Sequence, residues 1–130
     1  MSYGAKNYKN AAIKTAPPEQ LLLMLYEAAI KSCKLAKMAI EKKNIPEKCK
    51  HITKVHDIVI ELNNTLDHSK GPDVAAQLES LYTFASNQLL KANLNNDVEA
   101  LDGVLKVLTT LYDGWVSAID EIKKKGTVKL

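Results

Sequence analysis

The sequence predicts an all-α fold, an antiparallel, up-down-up-down four-helix bundle with a short N-terminal arm. Four long segments have apolar residues at intervals of three and four, which is the period of an amphipathic helix. Helix-breaking residues separate these segments at positions 44–46, 71–72 and 96–97. No segment alternates apolar and polar residues over the length of a strand. Since the connections are short, consecutive helices are expected to run antiparallel.

The first helix is expected from about Pro17 to Lys43. Thr15 is a suitable N-cap, and the prolines after it fall in the first turn, where no N–H partner is lost. Residues 21–25 are all apolar and cover every side of the helix at about 100° per residue. A bundle core needs one apolar stripe only, so part of this segment is surplus to the core.

The second helix is expected after Pro46 and ends near Ser69, and the third runs from Pro72 to about Asn93. Each has an apolar stripe with steps of three and four, which is typical of a bundle seam. The stripe of the second helix consists of Ile52, Val55, Val59, Leu62 and Leu66. The stripe of the third consists of Val74, Leu78, Leu81, Ala85, Leu89 and Ala92.

Asn96 and Glu99 form a capping box that is expected to open the fourth helix, with Asn96 as the N-cap. Lysines 123–125 suit the C-terminal end of a helix dipole, and Gly126 is a typical residue for ending the helix. The predicted organisation is therefore an arm of residues 1–14, a bundle of residues 15–126 and a tail of residues 127–130.

The composition indicates one globular domain and excludes several classes of protein. The 130 residues carry a net charge of +3 that comes from lysine, without arginine, and the lysines are scattered among acids rather than grouped on one face. This distribution argues against a nucleic-acid partner. No apolar run reaches the ~20 residues of a membrane span, and the N-terminus lacks the apolar centre of a signal peptide, so a cytoplasmic location without membrane insertion is expected. Cys33 and Cys49 are expected to be small buried or half-buried thiols rather than a redox pair.

The residues needed for catalysis or metal binding do not occur in suitable patterns, so no catalytic residue, metal site or cofactor is expected. A di-iron bundle needs Glu-x-x-His pairs, and the sequence contains none. His51 and Lys54 match the His-x-x-Lys pattern of histidine phosphotransfer bundles. Such modules usually have a small residue after the lysine, whereas this chain has Val55 on its core stripe. Phosphotransfer through His51 stays open as an alternative function.

The first and fourth helices have more apolar surface than a core requires. With Leu25 at the centre of the buried stripe, Leu23 and Ile30 lie about 140–160° away, on the far side of the first helix. On the fourth helix, the apolar arc is about 180° wide, compared with about 100° for a surface helix. Val107 and Trp115 lie within this arc, although the position of Trp115 favours a place in the core. The surplus could be covered by the N-terminal arm, by a second copy in a homodimer, or by an amphipathic partner helix.

The sequence resembles the FliS family of flagellar secretion chaperones. The family signature is a tyrosine seven residues before Thr-Ala-x-Pro-Glu-Gln-Leu, followed by an apolar run that ends in Leu-Tyr. It occurs here as Tyr8, Ile13, Thr15-Ala16-Pro17-Pro18-Glu19-Gln20-Leu21 and Met24-Leu25-Tyr26. The similarity continues through Leu81-Tyr82-Thr83-Phe84, Leu89-Leu90-Lys91-Ala92-Asn93, Asn96-Asp97, Leu101, Val104, Leu108, Leu111 and Trp115.

This resemblance implies a non-enzymatic cytoplasmic bundle that binds the disordered C-terminal segment of flagellin. It also implies that the chaperone prevents premature polymerisation and presents flagellin to a component of the flagellar export gate. Tyr8 and Ile13 are similar to residues of the family's N-terminal arm, which can occupy part of the groove before flagellin arrives. The residues expected to contact the partner are Tyr8, Ile13, Leu23, Ile30, Val107 and Trp115. A homo-oligomeric structural bundle is a further alternative, in which the apolar excess is the protein's own interface.

Overall fold

A computed structural model describes residues 17–129 of the chain, and this part folds into four α-helices without a strand. The helices are α1 (Pro18–Glu41), α2 (Ile45–Asn64), α3 (Pro72–Asn95) and α4 (Val98–Lys129). α1 packs against α2 and α4, and α3 packs against the same two helices. Because only two to seven residues connect them, consecutive helices reverse direction. The predicted antiparallel four-helix bundle is thus confirmed.

Small side chains bring α1 close to its neighbours. Ala29, Cys33 and Ala36 are wholly buried and follow one another at steps of four and three. The thiol of Cys33 donates to the carbonyl oxygen of Leu101 in α4, with Sγ and O 3.4 Å apart. Since these residues have short side chains, the two helix backbones can approach each other closely.

The buried stripe of α1 is centred on Tyr26, and the prediction of Leu25 at its centre is wrong. Tyr26 is wholly buried, whereas residues 21–25 are all half-buried. Tyr26 reaches the interior because its hydroxyl finds polar partners there, which removes the cost of burying it. Leu22 and Leu25 pack against the edge of the core.

The stripe of α3 is also rotated from the predicted one, by one residue in its first half. Ala75 and Tyr82 are buried, whereas Val74 is 57% exposed and Leu81 is 36% exposed. The physical reason is the same as in α1, because the Tyr82 hydroxyl is bonded to that of Tyr26 in the interior. The remaining predicted positions of this stripe are buried: Leu78, Ala85, Leu89 and Ala92.

α2 ends at Asn64, five residues before the predicted end. The Thr65 hydroxyl donates to the carbonyl oxygen of Leu62 at 2.7 Å, and the Asp67 carboxylate accepts from the backbone N–H of Ser69 at 3.0 Å. Such side-chain bonds compete with helix continuation and favour a turn. Of the predicted stripe, Ile52, Val55, Val59 and Leu62 are buried, and Leu66 packs on the core from the connection.

The junction between α3 and α4 differs by one residue from the predicted capping box. Asn96 ends α3 with φ +53°, a left-handed conformation that asparagine tolerates better than most residues. The N-cap of α4 is Asp97, whose carboxylate accepts from the backbone N–H of Ala100 at 3.1 Å. The prediction of Asn96 as the N-cap is therefore wrong, because Asn96 is the C-cap of α3.

α4 continues through Gly126 to Lys129, beyond the predicted end at residues 123–126. A glycine within a helix costs about 1 kcal/mol relative to alanine, which does not by itself terminate a long helix. With 32 residues, α4 is longer than α1 or α3, which have 24 each. Among the described residues, no helix has the length and hydropathy needed to cross a bilayer.

Candidate functional site

Two polar contacts align α1 and α4 side by side. The Lys37 ammonium lies 2.8 Å from a carboxylate oxygen of Asp102, and the Tyr112 hydroxyl donates to a Glu27 carboxylate oxygen at 2.6 Å. The two contacts are ten residues apart on each helix, in opposite directions. Both contacts therefore belong to one antiparallel register of α1 and α4 along this side of the bundle.

A shallow cleft of about 370 Å³ opens between these helices. Ile30 and Leu35 of α1 and the ring of Tyr112 give it apolar walls, and Glu27, Lys31 and Lys34 complete its lining. The hydrogen bond to Glu27 raises the pKa of Tyr112, so its hydroxyl remains a donor at neutral pH. We call the surface formed by Ile30, Leu35 and Tyr112, together with Leu23 on the same side of α1 seven residues before Ile30, the α1/α4 face.

A second apolar surface lies on the opposite flank of α4, where it meets α3. Phe84 of α3 is 43% exposed and lies over Gly103 of α4, where a β-carbon would come 3.8 Å from Phe84 Cζ. Val107 is one helical turn after Gly103, so it lies on the same flank, and it is half-buried. Together with Leu81, these residues form what we call the α3/α4 face: Leu81, Phe84, Gly103 and Val107.

Trp115 connects the α1/α4 side to the interior. Its indole Nε1–H donates to the Tyr26 hydroxyl oxygen at 3.2 Å, and the Tyr26 and Tyr82 hydroxyls are 2.6 Å apart. The indole is half-buried and packs against the core. Trp115 therefore has a structural contact in the bundle as well as an accessible edge.

The predicted partner-binding residues are distributed over two surfaces. Leu23 and Ile30 are half-buried on α1, and Ile30 lines the cleft with Tyr112. Val107 lies on the other flank of α4, so the structure does not bring it together with Ile30. Tyr8 and Ile13 lie outside the described residues, as does Thr15, the predicted N-cap of the first helix.

Sequence reasoning missed three features of these surfaces, namely the cleft walls Leu35 and Tyr112, its charged rim, and Phe84. Phe84 follows Tyr82 by two positions and cannot share its buried side, a signal that was available once Tyr82 was placed in the core. The cleft had no comparable signal, because it depends on the register of α1 against α4.

Two of the three histidines contact a carboxylate, His51 that of Glu47 and His68 that of Glu79. The His51 ring, predicted as a candidate phosphoacceptor, is half-buried and bonded through Nε2 to Glu47 Oε2 at 3.1 Å. An attack on a phosphodonor through Nε2 would require this nitrogen to leave its carboxylate partner. Within residues 17–129, no three histidine, cysteine or acidic side chains are grouped as metal ligands would be.

Comparison with known proteins gives the family. Residues 1–122 match the family model described as flagellar protein FliS. The flagellar secretion chaperone FliS of Campylobacter jejuni is 36% identical over 115 residues, which cover 88% of each chain. The protein of the same name from Bacillus subtilis is 32% identical over 117 residues, or 90% of this chain and 86% of the relative. A crystal structure described as a flagellar chaperone from bacteria has the same fold, with a TM-score of 0.75, 22% identity and coverage of 91% of this chain and 96% of the other. The chain therefore belongs to the FliS family of flagellar secretion chaperones.

Proposed function

We propose that this flagellar secretion chaperone, a non-enzymatic protein, binds the disordered C-terminal segment of flagellin in the cytoplasm. Binding keeps flagellin subunits from polymerising and delivers them to the flagellar export gate. The observation that carries the proposal is the presence of apolar surface on both flanks of α4, beyond what the four-helix core uses.

A disordered client is a good match for such a surface. A segment that folds on binding loses conformational entropy, and a long apolar contact area offsets that cost. The proposed contacts are Leu23 and Ile30 on the α1/α4 face, Val107 on the α3/α4 face, and the accessible edge of Trp115. Because these surfaces flank one helix, a client that follows both has to wrap around α4.

The N-terminal arm is proposed to compete with the client. Tyr8 and Ile13 have the apolar side chains needed to cover part of the same surface in the free protein. Displacement of the arm then exposes the surface when flagellin binds. Replacing both arm residues by serine is expected to strengthen client binding, since the client no longer has to displace them.

A binding titration tests the proposal. The purified full chain is mixed with a synthetic peptide of the C-terminal segment of its own organism's flagellin, and heat and circular dichroism are recorded. We expect saturable heat and a gain of helical signal above the sum of the separate components. Absence of binding, or binding without a gain of helix, contradicts the proposal.

Phosphotransfer through His51 is tested separately. A phosphodonor should leave no label on the unaltered chain if the protein is a chaperone only. Label that disappears in His51→Gln would instead support the alternative function.

A further inference from the structure

The cleft of the α1/α4 face has a charged rim in which some lysines form an ion pair and others do not. Lys31 and Lys34 line it, are exposed, and make no ion pair within the described part of the chain. Lys37, three residues after Lys34 and so about one helical turn further, is paired with Asp102 at 2.8 Å. Two ammonium groups without an ion pair therefore lie beside the apolar walls of the cleft.

The carboxylate in the lining, Glu27, forms no ion pair with either lysine and is bonded instead to Tyr112. Glu27 accepts from the Tyr112 hydroxyl at 2.6 Å, and Asp113 is the residue after Tyr112 in α4. These two carboxylates therefore lie towards the Tyr112 end of the cleft, whereas Asp102, towards the other end, is paired with Lys37. The lysines lie one and two helical turns further along α1, with the apolar walls Ile30 and Leu35 beside them.

We propose that this cleft recognises an acidic residue of the client helix, three or four positions from an apolar residue that enters between Ile30, Leu35 and Tyr112. The proposal rests on the proposed function, because it names the chemistry of the segment that the α1/α4 face binds. Residues three or four apart on a helix lie about 5–6 Å apart on the same side, so one client helix supplies both groups.

The charges along the cleft also favour one direction of the client helix. Lysine stems lie along apolar surface while their ammonium groups remain in water, so Lys31 and Lys34 can extend the apolar wall and still reach a carboxylate. At the opposite end, Glu27 and Asp113 repel an acidic residue. A client helix in the reverse direction brings its carboxylate to that end, where it meets like charge.

The test compares charge variants of the full chain in the titration with the flagellin peptide. Lys31→Glu/Lys34→Glu is expected to weaken binding about tenfold or more, and Lys31→Gln/Lys34→Gln by an intermediate factor, because reversal adds repulsion to the loss of attraction. The matched control Lys50→Glu/Lys70→Glu changes the net charge equally, outside the cleft lining, and is expected to change affinity less than about twofold. Circular dichroism verifies that each variant remains helical.

A second measurement identifies the client group. Replacing the acidic residues of the peptide by their amides should weaken binding to the unaltered chain but not further weaken binding to Lys31→Gln/Lys34→Gln, since the interaction is already absent there. Equal affinity of the unaltered chain and the charge-reversal variant overturns the charge recognition and leaves the proposed function standing. Absence of binding by the unaltered chain overturns both.

Discussion

Three aromatic side chains from three helices share a hydrogen-bonded network in the interior. The Tyr26 hydroxyl of α1 lies 2.6 Å from that of Tyr82 in α3 and accepts from Trp115 of α4. Burial raises the pKa of both tyrosines, so the hydroxyls stay protonated at neutral pH. Since apolar contacts alone are not directional, these bonds help to select one arrangement of the helices.

Replacing Tyr82 by phenylalanine is expected to lower the free energy of unfolding by about 1 kcal/mol, because the Tyr26 hydroxyl loses a buried partner. Urea unfolding followed by Trp115 fluorescence measures the change. Tyr112→Phe is the control, since it removes a hydroxyl whose bond to Glu27 is exposed, and its effect should be smaller. A stability equal to that of the unaltered chain in Tyr82→Phe contradicts the role given to the network.

Alkaline pH should destabilise the protein through its buried acids. Burial raises the pKa of the Cys33 thiol from 9.0 to about 12, with the Asp102 carboxylate adding to the shift. Above about pH 9, the unfolded chain has released this proton while the folded chain retains it. The free energy of unfolding therefore falls as the pH rises from about 9 towards 12, by about 1.4 kcal/mol per pH unit for each such group.

Urea unfolding at several pH values between about 8 and 11 checks this dependence. Cys33→Ala removes one of the groups and should give a shallower fall, although it starts from a lower stability. The other cysteine, Cys49, is exposed and not buried or half-buried as expected, so Cys33 is the thiol whose removal tests this effect. The same slope in Cys33→Ala and the unaltered chain speaks against the buried thiol as a cause.

A buried lysine of α2 caps the C-terminal end of α3. Lys48 of α2 is 5% exposed, and its ammonium donates to the carbonyl oxygen of Asn93 at 2.9 Å and to the side-chain oxygen of Asn96 at 2.7 Å. The last carbonyl groups of a helix lack partners within the helix and carry partial negative charge. Lys48 satisfies one of them and holds Asn96 in the conformation that turns the chain towards α4.

Lys48→Met should therefore cost about 1–3 kcal/mol of stability, because it leaves the Asn93 carbonyl and the Asn96 amide without this donor. Thermal unfolding followed by circular dichroism gives the change. Lys50→Met is the control, since Lys50 is exposed two positions away, and its effect should remain within about 0.5 kcal/mol. Equal effects of the two substitutions would show that loss of charge, rather than loss of the cap, matters.

In the whole molecule, α4 separates two apolar surfaces that a single client is proposed to follow. Ile30 represents the α1/α4 face and Phe84 the α3/α4 face. Contacts on opposite flanks of a helix share no partners, so their contributions to binding should add. Variants on both faces therefore test whether one client contacts both flanks of α4, which variants on one face cannot do.

Ile30→Ala and Phe84→Ala are each expected to weaken binding of the flagellin peptide by about 5- to 10-fold, corresponding to about 1–1.4 kcal/mol each. The double variant should weaken binding by the product of the two factors. Ile60→Ala on α2 is the control, because Ile60 is an exposed isoleucine on a helix that does not pack against α4. An effect confined to Ile30→Ala would restrict the client to the α1/α4 face.

The sequence by itself determined the bundle, its helix order and its family, since these depend on local signals. Apolar residues at steps of three and four, the breakers at residues 44–46 and 71–72, and the signature around residues 15–26 are all readable along the chain. The family membership implied by that signature is confirmed by the family model and the relatives. Residue roles in client binding stay predictions.

The tertiary structure decided which side of each helix is buried and where the surplus surface lies. Tyr26 and Tyr82 displaced Leu25 and Leu81 from the interior because each hydroxyl found the other across the bundle, a contact between residues 56 positions apart. The register of α1 against α4 then placed Tyr112 beside Glu27 and formed the cleft. The hydrophobicity pattern of a helix gives the width of its apolar surface, but hydrogen bonds between distant residues decide which part of that surface faces the core.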